Sequence, residues 1–133
     1  MCTTQTACRR VKRSLDISYV EDHGDLSRER IVLRASSNGI HIWHYLLSDS
    51  TYHSDGTASN KLRHVFDFDS LSAIKLNVGD IVILYTGKGT DQVTEHEGVK
   101  VYSLHWGLSE TVWNKDGDEA VLIKAESRTK KAV

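Results

Sequence analysis

Apolar and polar residues alternate along this chain in short runs, and polar or glycine-bearing turns separate the runs. Leu15, Ile17 and Tyr19 alternate with Asp16 and Ser18, and Leu62, His64, Phe66 and Phe68 share one face while Arg63, Asp67 and Asp69 take the other. A period of two belongs to a strand with one buried face, because successive side chains point to opposite sides of a sheet. Ile31, Val32 and Leu33 form another run, which Ser36-Ser37-Asn38-Gly39 turns into Ile40 to Leu47, where Trp43, Tyr45 and Leu47 share a face. The polar stretch Ser48 to Asn60 reads as a loop. Ile74 and Leu76 lead through Asn77-Val78-Gly79-Asp80 into Ile81-Val82-Ile83-Leu84-Tyr85, whose unbroken apolar character predicts a central strand covered on both faces. A polar loop follows from Gly87-Lys88-Gly89-Thr90-Asp91 to Gly98, and Val99 to Leu104 and Ala120 to Ala125 supply the last strands. Helical period is nearly absent. Short strands at regular spacing predict an all-β fold, an antiparallel β-sandwich of seven to nine strands, with Trp43, Trp106 and Trp113 largely buried.

A chain of 133 residues fits one domain with one core. The organisation expected is a basic leader over 1–14, a sandwich over 15–126 and a basic tail over 127–133. The formal charge of −1 points to no polyanionic or polycationic partner, but its distribution says more. All 18 acids lie between Asp16 and Glu126, facing ten basic residues there, whereas the other seven of the 17 basic residues are Arg9, Arg10, Lys12, Arg13, Arg128, Lys130 and Lys131. Such ends are ordinarily solvated. They also suggest weak, sequence-independent contact with nucleic acid or another polyanion through Arg9, Arg10, Lys12, Arg13, Lys130 and Lys131. No run of eighteen apolar residues exists and the leader has no apolar segment of a secretory signal, so no membrane span or export is expected, and a cytoplasmic location follows if Met1 is the native start. With no proline, the turns rest on Gly, Asn and Asp.

Motifs that carry chemistry fail on spacing. Gly87-Lys88-Gly89-Thr90 lacks the distant glycine, the Lys-Ser/Thr order and the following helix of a phosphate loop. Asn114, Asp116 and Asp118 around Gly117 resemble part of a calcium loop, but its first and last ligand places fall on Val112 and Ile123, so an Asp-Gly turn is the simpler account. His41 and His44, three apart, would sit on opposite faces of a strand, and Glu95-His96-Glu97 in a polar loop is ordinarily solvated. Cys2 and Cys8 have no second pair to complete a zinc site. Gly107-Leu108-Ser109-Glu110-Thr111 lacks the closing glycine of a nucleophile elbow, and no acid/base carboxylate pair can be nominated. The expectation is therefore a non-catalytic module with no metal and no cofactor.

From Arg30 onward the chain resembles the lamin tail domain family, immunoglobulin-like modules found in nuclear lamins and in many bacterial proteins. Arg30-Ile-Val-Leu-Arg34 is similar to the family's early strand, and Trp43-His-Tyr-Leu-Leu-Ser-Asp49 to its G-W-x-L-x-D motif. Leu76-Asn-Val-Gly79 with Val82 and Thr86-Gly87-Lys-Gly89 resembles its L-x-x-G-x-x-V-x-x-x-T-G-x-G motif. His105-Trp106-Gly107, then Val112-Trp113-Asn114, Gly117-Asp118 and Ala120-Val-Leu122, resembles its closing block, the most specific of these; together they span about Leu15 to Glu126. The resemblance implies an immunoglobulin-like antiparallel β-sandwich in which these residues are fold markers. It also implies a recognition module, an adaptor that holds a protein or polyanion partner; the alternative it allows is an accessory domain of a larger nuclease- or phosphatase-type hydrolase, with catalysis elsewhere.

Overall fold

The computed structural model of the chain describes residues 14–52, 58–113 and 119–133, with 51–52 and 58–63 described through the backbone alone. Its strands in chain order are β1 (Leu15–Glu21), β2 (Arg30–Ala35), β3 (Ile40–His41), β4 (Tyr45–Tyr52), β5 (Ala58–Asp67), β6 (Lys75–Leu76), β7 (Ile81–Tyr85), β8 (Gln92–His96), β9 (Val99–His105) and β10 (Glu119–Lys124). Single 3₁₀ turns at Ile42–His44 and Phe68–Ser70 are the only helical pieces among the described residues. One sheet has the order β1-β2-β7-β9-β8, a second β10-β4-β5, and β3 pairs with β6. The molecule is an all-β sandwich.

Both sheets feed one core. Leu15, Ile31, Leu33, Val82, Leu84 and Leu104 come from the five-stranded sheet, Tyr45 and Leu47 from the three-stranded sheet, and Ile42 and Phe68 from the 3₁₀ turns. The apolar run at β7 is central, as its composition predicts, but alternates: Val82 and Leu84 are buried while Ile81, Ile83 and Tyr85 are half-covered.

Several expectations change. Along β1 the period of two is interrupted by a bulge between Ile17 and Tyr19, which leaves Tyr19 50% exposed and packs Val20 against the core instead. Ile40 to Leu47 is no single strand, because the 3₁₀ turn at Ile42–His44 splits it into β3 and β4. The polar stretch after Ser48 is largely strand: β4 continues to Tyr52 and β5 begins at Ala58. Polarity misled there because Ser48, Asp49 and Ser50 are buried, with the Asp49 carboxylate accepting the His64 N–H at 2.7 Å.

The polar run before Gly98 also contains a strand. Every residue of β8 is exposed, so no hydrophobic period marks it; it is held by its antiparallel ladder to β9. The sandwich is accordingly mixed, not wholly antiparallel, since β7 and β9 are parallel neighbours from Ile81↔Val101 to Tyr85↔His105. Parallel neighbours need a crossover. Here it is β8, which lies outside β9, so Thr86 to Asp91 must pass over the end of β9.

Segment 127–133 is tied to the second 3₁₀ turn. Arg128 Nη1 donates to Asp67 at 2.7 Å and Lys130 Nζ to Asp69 at 2.8 Å, while Arg128 Nη2 reaches the carbonyl of Trp43 at 3.4 Å. The hydrogen bond from Arg128 holds the Asp67 carboxyl below the ordinary Asp range, against a smaller opposing push from partial burial. A carboxyl held low stabilises the folded chain above about pH 4 and loses that contribution as pH falls through its folded-state value. The gap in thermal midpoint between the native chain and Asp67→Asn is therefore expected to close on acidification from pH 6 to about pH 2; a gap that stays constant would show that the pair carries none of it.

Candidate functional site

The crossover builds a cleft. Thr86 to Asp91 runs over the C-terminal end of β9, and the chain leaving β9 turns back beside it, with Trp106 N–H on the Tyr85 carbonyl at 2.8 Å, Gly107 N–H on Gly87 at 3.1 Å and Leu108 N–H on Thr86 at 2.9 Å. Between this strip and the turn that carries Leu26 and Ser27 lies a cavity of about 570 Å³, lined by Leu26, Ser27, Tyr85, Gly87, Lys88, His105, Leu108 and Ser109. That volume lies within the range that holds small ligands or a few side chains, roughly 300–1,000 Å³.

Two glycines make the close packing possible. Gly87 is buried, and a Cβ there would lie 2.9 Å from the carbonyl oxygen of Leu26. At Gly89 a Cβ would overlap the imidazole of His105. The T-G-x-G pattern is thus explained by close approach, whereas Gly79 and Gly107 need positive φ, 91° and 83°. Gly89→Ala should displace His105 and cost about 1–3 kcal/mol, the usual scale of overpacking. Urea melts check it: an unchanged midpoint would mean that the loop lies away from the ring.

Polar groups around the cleft are satisfied inwardly. Asp91 Oδ1 accepts from the His105 backbone N–H at 2.9 Å and lies 3.1 Å from His105 Nδ1; because a carboxylate only accepts, Nδ1 carries the proton. The other edge of that ring abuts Gly89, and one face stacks on Tyr85, centroids 5.1 Å apart and 12° from parallel. Arg30 lies 5.9 Å from the Tyr85 centroid and pairs with Glu21 and Asp22. Ser27 Oγ donates to Asp25 at 2.8 Å. Lys88 is exposed and forms no ion pair among the described residues. The cleft offers two leucines, an aromatic wall and the ammonium of Lys88, unpaired among the described residues.

A buried carboxylate holds the walls together. Glu29 is wholly inaccessible, yet among the described residues no cation pairs with it; Oε1 accepts from Gly24 N–H at 2.8 Å and Trp113 N–H at 3.3 Å, and Oε2 from Thr86 Oγ1 at 2.6 Å and Val112 N–H at 2.8 Å. It joins the Leu26 turn, the crossover and the segment after Leu108. Sequence reading missed this residue, because a Glu at the start of a strand looks like any solvated charge.

The chain matches no known family model, no curated protein and no solved structure.

Of the residues singled out by resemblance, Trp113 is buried, Trp43 and Trp106 are half-buried, and Gly87, Gly89 and Gly107 flank the cleft. Trp106 meets Phe66 edge-on at 5.6 Å. Gly79 lies in the turn before β7, where its N–H donates to Ala35 at 2.9 Å. Asn114, Gly117 and Asp118 lie outside the described residues, as do Arg9, Arg10, Lys12 and Arg13. Of the basic tail residues, Lys130 is engaged by Asp69 and Lys131 is exposed. Glu95, His96 and Glu97 lie on β8 and the turn after it, and no three His, Cys, Asp or Glu side chains converge as a metal cage among the described residues. Among those residues no helix is long and apolar enough to cross a membrane.

Proposed function

We propose that this domain is a non-catalytic recognition module that holds a protein partner in the cleft at the end of β7 and β9. The observation that carries the reading is the composition of that cleft: Leu26, Leu108 and the Tyr85 ring line it together with Lys88, which is exposed and has no counter-charge among the described residues. Such a site suits a large apolar side chain with an acidic group beside it, since apolar anchors supply affinity and one unpaired cation supplies orientation. Ser27 Oγ donates to Asp25, and the Nε2 edge of His105 abuts Gly89, so the two do not form a nucleophile–base pair. A protein partner fits better than a polyanion because the body of the chain is acidic and Arg128 and Lys130 are engaged by Asp67 and Asp69. The resemblance to lamin tail domains supports the same reading.

Selection of a random linear peptide library on the full chain tests it. Peptides that pair a large apolar residue with Asp or Glu should be enriched, Leu108→Glu should abolish the enrichment, and Lys88→Glu should shift the preference from acidic to basic neighbours. Enrichment that is indifferent to both substitutions would place recognition elsewhere.

A further inference from the structure

His41 and His44 were expected on opposite faces of one strand, and the fold does otherwise. Residues Ile42–His44 form a 3₁₀ turn, with His41 as the residue that precedes it. A 3₁₀ turn has three residues per turn, so positions three apart eclipse. The two imidazoles accordingly lie on one side of the backbone, ring centroids 6.0 Å apart, with the indole of Trp43 beside them, 6.0 Å from His41 and 3.9 Å from His44.

We propose that His41 and His44 form an open, two-imidazole chelate for a borderline divalent transition ion, with Cu²⁺ bound most tightly and Zn²⁺ and Ni²⁺ more weakly. Imidazole is a ligand of choice for these ions, and copper leads the affinity order for nitrogen sites. Two metal–nitrogen bonds of about 2.0–2.1 Å plus the ring radii set the widest centroid separation that one ion can bridge, and the 6.0 Å here, with the ring planes 78° apart, lies within it. Both rings are half-buried, and no ring nitrogen of either is hydrogen-bonded to another described residue. The backbone that carries them is held at both ends, because His41 pairs with Lys75 in the β3–β6 ladder and the His44 carbonyl accepts from Ala125 N–H at 2.7 Å. Arg128, the cation that reaches this turn, is already paired with Asp67. Protein supplies two ligands and solvent the rest, which makes the ion exchangeable and leaves it free to accept a donor from a binding partner. Nothing in the core depends on it, so the fold does not require the metal.

Trp43 reports directly on the site, since a bound Cu²⁺ quenches an indole in contact with its ligands. The experiment titrates the full chain carrying Cys2→Ser and Cys8→Ser with CuCl₂ in a non-chelating buffer and reads tryptophan emission together with the heat of binding. One-to-one, saturable, partial quenching is expected. His41→Gln or His44→Gln should each weaken the apparent affinity at least tenfold, the double substitution should remove it, and Trp43→Phe should remove most of the quenching while keeping the heat. Quenching and heat that are unchanged in the double variant would overturn the proposal. Should that variant not fold, nuclear magnetic resonance of the unsubstituted rings decides: simultaneous broadening of the His41 and His44 signals at substoichiometric Cu²⁺ supports the chelate, and broadening confined to other histidines sinks it.

Discussion

Glu29→Ala is expected to be the most destabilising single substitution outside the apolar core. It leaves three buried donors, the N–H groups of Val112 and Trp113 and the hydroxyl of Thr86, without their acceptor, and it also removes the acceptor of the part-buried Gly24 N–H. Each buried donor left unpaired costs about 1–3 kcal/mol, and partial hydration relieves some of that. A loss of at least about 3 kcal/mol is anticipated, a large share of the 5–15 kcal/mol that keeps a domain of this size folded. Glu29→Gln should fall between the native chain and the alanine variant, because its carbonyl oxygen still accepts while its amide group faces donors. Denaturant melts followed by far-ultraviolet circular dichroism give the numbers. An alanine variant within about 1 kcal/mol of the native chain, the ordinary surface range, would show that the carboxylate does not tie these segments together.

The same substitution carries a functional consequence. Glu29 is bonded to the three segments that border the cleft, so the glutamine variant, still folded, should bind cleft-selected peptides more weakly. That outcome separates a cleft whose shape is set by Glu29 from one set locally by Leu26 and Leu108.

Trp113→Ala is the second large effect. The indole is 5% exposed within the core cluster, and truncation of a buried aromatic costs about 3–5 kcal/mol. Its ring N–H meets no acceptor among the described residues, so Trp113→Phe removes an unpaired donor along with part of the ring and should cost far less than alanine. The half-buried Trp43 and Trp106 supply the comparison: alanine at either should cost less than at Trp113. A change under about 1 kcal/mol for Trp113→Ala would mean that the ring serves the surface and not the core.

Trp113 and Glu29 mark the two sides of what could be read in advance. A tryptophan has a strong preference for the core through its size and hydrophobicity, which suffices for Trp113 beside Val112, while Trp43 and Trp106 reach only half burial. A glutamate has two places to go, solvent or a pocket of donors. The choice depends on whether distant backbone amides converge on it, and the amides of Gly24, Val112 and Trp113 are brought together only by the fold.

The strands divide in the same way. Where apolar side chains are covered, on both faces at β2 and on one at β7, the apolar positions announce the strand because burial is what stabilises it. Where pairing alone stabilises a strand, as at the fully exposed β8, side-chain polarity carries no trace of it. The parallel pairing of β7 with β9 was hidden for that reason: it follows from where β8 lies. His41 and His44 came together because three residues between two strands turned into a 3₁₀ turn, a change of local period that their spacing alone could not announce.

The alternation of apolar residues therefore determined the all-β class and most of the core, since hydrophobic burial depends on composition and period, which are written along the chain. The crossover and the cleft beneath it, the Glu29 hub and the paired imidazoles were decided only in the tertiary structure, because each depends on backbone groups and side chains that meet across the fold.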